Sequence, residues 1–369
     1  MSKNINNKKT VIVCNTLFQI IIAVHLRLTI LKDDFVDIIV SNHTKNSSNI
    51  AKNIENLNLF NKVIFIKNKK AIQKGNGILN IASYNIRRFF ETLNNIFIVN
   101  KICKKNNYDS LLINNISIFT MLFYNKLLKK NKNIELCLFE EGLSTYSNSY
   151  TDADKPNSLH RKIINKTGII ANFDKLYLLF PDLLEWNVPN AEIIKLQKIN
   201  ANGNHFVNII NTIFDIKEIK DKYDKPIIFF EESHFTDGFV VPDIEIVNQI
   251  ADIVGKENIM IKLHPRNALN RFDTLGYKTN SDTNIPWEAI ILNQNLTNKT
   301  LVTIASGSVL SPFLYFGINL KSISLLNCLT EKPGYMKGEL GKFMNKIYAK
   351  FPDVFYAPQN FDELKKYIK

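Results

Sequence analysis

Cysteine is scarce in this chain and does not cluster. The four cysteines, Cys14, Cys103, Cys137 and Cys328, are too dispersed for a zinc spacing and too few for a disulfide framework. They read as small buried hydrophobes in a reducing compartment. Three glycine- or ligand-based signatures are also missing: a P-loop, a Gly-x-Gly-x-x-Gly dinucleotide fingerprint and any zinc pattern. Their absence argues against P-loop phosphoryl transfer, dinucleotide redox chemistry and zinc catalysis. Long apolar runs are lacking as well. The longest, Leu17 to Leu31, is interrupted by Gln19, His25 and Arg27 and is too short and polar to span a bilayer. The opening MSKNINNKKT is not followed by a signal-type apolar segment. The expectation is a cytoplasmic protein, at most peripheral on the inner face of the membrane. There is no internal repeat and no low-complexity tail.

Apolar bulk and positive charge are abundant. The 369 residues are 45% hydrophobic and include 25 Phe and 13 Tyr, enough for more than one core. The formal charge is +13, from 47 Lys+Arg against 34 Asp+Glu. The surplus lies wholly in residues 1–200, because residues 201–369 hold as many acids as bases. A basic first half suits an anionic partner: a membrane surface, a phosphorylated glycolipid or nucleic acid. Scattered solvated lysines are the alternative.

Strand-like runs alternate with helical periodicity. Strands are expected at 10–14, 35–40, 63–66, 110–113, 134–139 and 176–180, with a helix over 17–30. A basic loop, 67–77, follows the third. From Ile86, the residues Phe89, Phe90, Leu93, Ile96 and Phe97 recur at helical spacing beside Arg87 and Arg88, which reads as a core-facing stripe with charge on the opposite face. The same spacing argues against nucleic-acid binding. The pattern restarts with strands at 227–230, 259–262, 301–304 and 322–325 and a helix at 244–254. The fold class is therefore α/β: two Rossmann-like domains, 1–200 and 201–369, with a central cleft and a polar boundary near 200–225. In such sheets ligands bind beyond the carboxyl ends of the strands.

Four polar clusters stand at those ends. Asn15 to Gln19 follows the first strand, where a helix start receives a hydroxyl-rich or anionic ligand or is simply capped. Glu140-Glu141-Gly142 closes IELCLF, with carboxylates suited to sugar hydroxyls or to base catalysis. Glu231 to Gly238 (EESHFTDG) offers several acids and a histidine, with turn chemistry at Asp237-Gly238. The fourth pairs His264-Pro265-Arg266 with Ala305-Ser306-Gly307-Ser308 on neighbouring strand ends. Proline fixes the backbone after His264, and the small Ser-Gly-Ser turn offers donors to a phosphate. Asp152-Ala153-Asp154 matches a metal motif of nucleotide-sugar enzymes, but it follows no apolar strand and reads as a solvated loop.

The ordered set CNTLFQ, FEEG, KLHPR and ASGS, spread from Val11 to Pro312, resembles the bacterial sialyltransferases of glycosyltransferase family 52. It also resembles the related capsular polysialyltransferases, which share an acidic-acidic-Gly motif and a His-Pro motif. The resemblance implies a B-type glycosyltransferase fold, an acceptor domain followed by a CMP-binding domain, CMP-sialic acid as donor, and no metal or other cofactor. His264 resembles the histidine acid that meets the departing phosphate. The family's catalytic aspartate is best matched by Asp237, in a longer loop, with Glu232 and Asp243 as substitutes, whereas the polysialyltransferase pattern puts the base at Glu140; Asp237 is the favoured reading. Pro265, Arg266, Ser306, Gly307, Ser308 and Glu288 fall to the nucleotide, the last as a ribose ligand. Asn15, Gln19, Glu141 and Gly142 fall to the acceptor sugar.

The expected reaction is one-step, inverting transfer of sialic acid to a lipooligosaccharide or capsular polysaccharide, with His264 acting as imidazolium. Rival readings are transfer of another sugar, such as glucosyl or galactosyl, and a non-catalytic glycan- or anionic-lipid-binding protein. Expected partners are CMP-sialic acid, a glycan or glycolipid acceptor and an anionic membrane, but no nucleic acid; a homodimer is compatible with the sequence.

Overall fold

The computed structural model describes residues 7–42, 46–67, 78–147, 172–219, 223–280, 283–332 and 334–368. Asp152, Asp154 and all of the basic loop beyond Lys67 lie outside the described residues. The chain divides into two compact units. The first holds the described residues through Glu141, those from 172 to Leu196, and Thr212–Asp215. The second holds the described residues from Gly142 to 147, Gln197–Asn211 and the chain from Ile216 onward. The chain thus leaves the first unit between Glu141 and Gly142, well before the main crossing after Leu196.

Among the described residues, the first unit is built on seven strands: β1 (Lys9–Cys14), β2 (Phe35–Ser41), β3 (Lys62–Ile66), β4 (Ser110–Ile113), β5 (Glu135–Phe139), β6 (Lys175–Leu178) and β7 (Glu192–Lys195). Their order is β3-β2-β1-β4-β5-β6-β7, and every pairing is parallel. The helices are α1 (Leu17–Leu28), α2 (Ser47–Asn56), α3 (Ile78–Lys105) and α4 (Ile118–Lys130). The central strands are continuous apolar runs, as a parallel sheet covered on both faces requires: Val11 to Cys14, Leu111 to Ile113 and Leu136 to Phe139 are all buried. Strand order reverses between β1 and β4, which makes that edge the switch point of the sheet.

The second unit has six parallel strands among the described residues: β8 (Ile227–Phe230), β9 (Ile259–Lys262), β10 (Lys278–Thr279), β11 (Thr300–Thr303), β12 (Lys321–Ser324) and β13 (Phe355–Tyr356). The order is β10-β9-β8-β11-β12-β13, so the switch point lies between β8 and β11. Its helices are α5 (Asn204–Ile213, whose last two residues belong to the first unit), α6 (His234–Asp237), α7 (Asp243–Val254), α8 (Trp287–Asn293), α9 (Ser311–Phe316), α10 (Glu339–Lys350) and α11 (Phe361–Ile368).

Ten strands stand where the apolar runs place them. The other three, β7, β10 and β13, are two to four residues long, too short or too polar to form an apolar run. The polar stretch 200–225 contains a helix, α5, rather than a plain linker.

The stripe on α3 is a correction. Phe89, Phe90 and Phe97 are 59%, 63% and 68% exposed, and Ile86, Leu93 and Ile96 also face solvent. The packed face of α3 carries Asn95, Val99, Ile102 and Cys103 instead. Both sets obey a helical period. Periodicity finds a stripe but cannot say which of two stripes meets the sheet.

Candidate active site

Strand β8 ends in two consecutive glutamates, and each braces a different neighbour. Glu231, buried, accepts the backbone N–H of His264 (3.0 Å) at the end of β9. It also accepts from Arg271 (3.2 Å), whose guanidinium is held by Asp243 through both of its amino groups. Glu232 turns the other way. Its Oε1 accepts Ala305 N–H (2.6 Å) and the Thr303 hydroxyl (2.9 Å) at the end of β11. Its second oxygen lies 3.3 Å from His234 Nε2. One dipeptide therefore fixes the His-Pro loop and the Ser-Gly-Ser loop, which leave one edge of one sheet with β8 between them. Two strand spacings put them on the order of 10 Å apart.

His264 is half-buried. Its Nδ1 accepts the N–H of Arg266 (3.2 Å) across the proline turn, so the neutral ring carries its proton on Nε2. Burial pushes its pKa down to about 4, helped by the charges of Arg266 and Lys262 and opposed by Asp237. The imidazolium expected from sequence is therefore not the resting form near neutrality: desolvation outweighs the one nearby carboxylate. Arg266, expected at the nucleotide, forks onto Asp237 with two bonds of 3.0 Å and reaches Ser233 Oγ at 2.6 Å. The Ser233 hydroxyl also donates to Asp237 (2.6 Å). Both oxygens of Asp237 are thus engaged in strong, charge-assisted bonds.

In the Ser-Gly-Ser turn, Ser306 Oγ accepts Ser308 N–H (3.2 Å) and caps the short helical turn that runs into α9. A Cβ at Gly307 would stand 3.3 Å from Leu143 Cδ1, so the leucine tip would have to give by a few tenths of an ångström. Glu288, at the start of α8, accepts the Ser311 hydroxyl (3.0 Å), and burial raises its pKa. It is joined to the same serine helix rather than to a surface cation.

In the first unit, Gln19 is wholly buried. It completes a capping box with Thr16, and its Oε1 accepts the N–H groups of Asn15 and Thr16. Its amide donates to Glu141 Oε1 (2.7 Å). Three residues expected at a sugar site, Asn15, Gln19 and Glu141, are thus brought together, with Gln19 as a support. Glu140 is fully buried and accepts Leu179 N–H (3.3 Å) beyond β6. Glu141 is half-buried; burial pushes its pKa up to about 7, against the lowering bond from Gln19. Gly142 has φ +125°, a region that side chains disfavour. Leu143, two residues past Glu141, is the residue packed on Gly307.

Sequence reasoning did not assign Lys262, Arg271 or the brace. Lys262 is buried at the tip of β9, and its charge bears on both His264 and Glu288. A lysine ending an apolar strand just before His-Pro was the available signal. Arg271 had none, because its partners are 28 and 40 residues away in the chain. Among the described residues, no cluster of His, Cys, Asp and Glu is arranged to hold a metal.

Several solved structures are similar over nearly the whole chain. The alpha/beta-galactoside alpha-2,3-sialyltransferase from Photobacterium phosphoreum is 14% identical, with a TM-score of 0.55, covering 95% of this chain and 99% of that one. UGT89C1 of Arabidopsis thaliana complexed with UDP is 12% identical with a TM-score of 0.56, over 99% and 91%. The UDP-GlcNAc 2-epimerase of Methanocaldococcus jannaschii is 16% identical with a TM-score of 0.55, over 98% and 91%. At these identities the likeness shows the fold, two Rossmann-like α/β units of the B-type glycosyltransferase class. No curated protein sequence matches the chain. The profile of the alpha-2,8-polysialyltransferase family matches residues 10–324, most of the chain including all four motif clusters, and the chain belongs to that family.

Proposed function

We propose that this glycosyltransferase moves sialic acid from CMP-sialic acid to a glycan acceptor in one inverting, metal-independent step. The observation that carries the reading is the Glu231–Glu232 brace, which fixes His264 and Ser306–Ser308 on one edge at the switch point of the second sheet. That is where open α/β sheets receive nucleotides. The serine turn and Lys262 take the phosphate of CMP, and Glu288 takes the ribose hydroxyls.

His264 starts neutral and donates Nε2–H to the phosphate. A phosphate charge about 4 Å away at an effective dielectric near 20 is worth about 4 kcal/mol, or about three pKa units. That is enough to bring a pKa of about 4 close to neutrality. Only with nucleotide bound does the ring take up a second proton, from solvent and at Nδ1 in place of the Arg266 N–H bond, as negative charge grows on the leaving CMP.

The acceptor hydroxyl needs a base. Asp237 is tied to Arg266 and Ser233, and Glu140 is sealed against β6. Glu141 is half-exposed and has a pKa of about 7, the value that suits general-base catalysis at neutral pH. We assign the base to Glu141, Glu140 to holding its strand tip, and Asp237 to orienting Arg266. The family supports a sialic-acid-terminated glycan as acceptor, extended through 2,8 linkages.

The test is incubation with CMP-sialic acid, UDP-glucose or UDP-galactose and a sialylated oligosaccharide, with product anomers read by NMR. Inverted sialyl product with CMP-sialic acid alone supports the reading. Transfer from a UDP-sugar, or retention at the anomeric carbon, overturns it.

A further inference from the structure

The outward stripe of α3 combines two properties that rarely coincide on a soluble surface. Ile86, Phe89, Phe90, Leu93, Ile96 and Phe97 form one continuous apolar band along a helix of 28 residues, each at least 40% exposed. At 100° per residue these six fall within about a third of the helix circumference. Exposed apolar faces of this extent mark a docking site. The band is rimmed by cations on both sides. On one side, the exposed Arg87, Lys101 and Lys105 project from α3 itself. On the other, Lys126 and Lys129 of α4 line a groove of about 460 Å³ that they share with Phe89, Leu93 and Ile96. Acid is nearly absent: between Ile86 and Lys105 the single carboxylate, Glu91, is paired to Arg88 at 3.1 Å.

We propose that this α3–α4 face docks the protein on an anionic lipid bilayer. Phe89, Phe90 and Phe97 enter the headgroup–acyl boundary, and the two lysine and arginine rims meet lipid phosphates. An amphipathic helix with a basic margin lies in that interface and does not cross it, and no helix among the described residues is long and apolar enough to cross a membrane. The charge pattern selects this occupant over a second copy of the chain. Two such faces apposed would bring like-charged rims together, which an anionic surface would neutralise. A polyanionic glycan would account for the lysines but leave six large apolar side chains in water. The face draws its cations from the first half, where the positive surplus lies.

The experiment is co-sedimentation of the full chain with vesicles of phosphatidylcholine alone and of phosphatidylcholine with phosphatidylglycerol. Wild type should pellet with the anionic vesicles only and be released by high salt. A Phe89→Ser, Phe90→Ser, Phe97→Ser variant should lose at least about 100-fold in vesicle affinity, since each lost aromatic removes a buried hydrophobe. A Lys126→Glu, Lys129→Glu variant should lose at least about tenfold. Circular dichroism melts and transfer to a soluble acceptor should be unchanged in both. Binding of the Phe variant equal to wild type, equal binding to neutral vesicles, or no binding at all overturns the proposal. So does a wild-type dimer in sedimentation velocity that the Phe substitutions dissociate, since that would give the face to a second copy. Binding to vesicles does not depend on sugar transfer, so failure here leaves the enzymatic reading standing, and the reverse also holds.

Discussion

The chain uses Phe-Glu-Glu twice at the tip of a central parallel strand, at 139–141 in the first unit and 230–232 in the second, and the two copies do different work. In the second unit both carboxylates are spent on structure. Glu231 binds the His264 amide and Arg271, and Glu232 binds Thr303, Ala305 and His234. In the first unit only Glu140 is placed that way, on the Leu179 amide. Glu141 meets a neutral amide, Gln19, and burial lifts its proton affinity to the physiological range. The lesson is that the partner, not the carboxylate, sets the role. On the proposed reading, charged and backbone donors make a strut, whereas one neutral donor and partial burial make a base.

The sharpest way to break this comparison is to remove the groups assigned to chemistry. His264→Ala should lower kcat by about 10²–10⁴, with the melting temperature retained. Glu141→Gln should cost a similar factor of about 10²–10⁴. In wild type, kcat/KM should rise with pH and level off above about 7, as Glu141 deprotonates. The variant should lack that inflection, and a wild-type profile without it would move the base elsewhere.

The same substitution should also stabilise the fold. Because the native state holds the Glu141 proton more tightly than the unfolded chain, its favourable contribution is complete below the ordinary carboxylate pKa of 4.5 and fades as pH rises through about 7. The wild type therefore gives up about 3 kcal/mol across that window, and Glu141→Gln gives up none. Thermal melts at pH 5 and pH 8 should show the variant gaining on wild type at the higher pH.

In the other Phe-Glu-Glu turn, Glu232→Ala should behave as a strut. It strands the Ala305 amide and should destabilise the second unit by about 1–3 kcal/mol, visible as an earlier transition in calorimetry. Any activity loss should follow from a weaker hold on the nucleotide, as a raised KM for donor. The smallest effect is expected at Asp237→Asn. If its task is to orient Arg266, kcat should fall less than about tenfold; a loss in the general-base range of about 10²–10⁴ would restore Asp237 as the base.

The fold was largely legible. Apolar runs such as VIVC, LCLF, IIFF and IMIK are what a doubly covered parallel strand demands. The site was legible as a list of residue types, less so as roles. The salt bridge of Asp237 to Arg266 spans 29 residues of chain and leaves no local trace. His264 looked cationic because sequence does not report desolvation. The α3 stripe looked like core because a helix can carry two apolar faces, and only packing selects one.

The sequence by itself determined the class of the molecule: strand–helix alternation, two parallel sheets, and the motif chemistry His-Pro, Ser-Gly-Ser and Glu-Glu-Gly at their carboxyl ends. These follow from local periodicity and turn propensity, which act over a few residues. Tertiary structure alone decided which carboxylates are struts and which one holds a proton near neutrality, whether the histidine is charged, and which face of α3 meets water. Each of those depends on burial and on partners tens or more than a hundred residues away, and desolvation is a property of the folded surroundings that no short stretch of chain encodes.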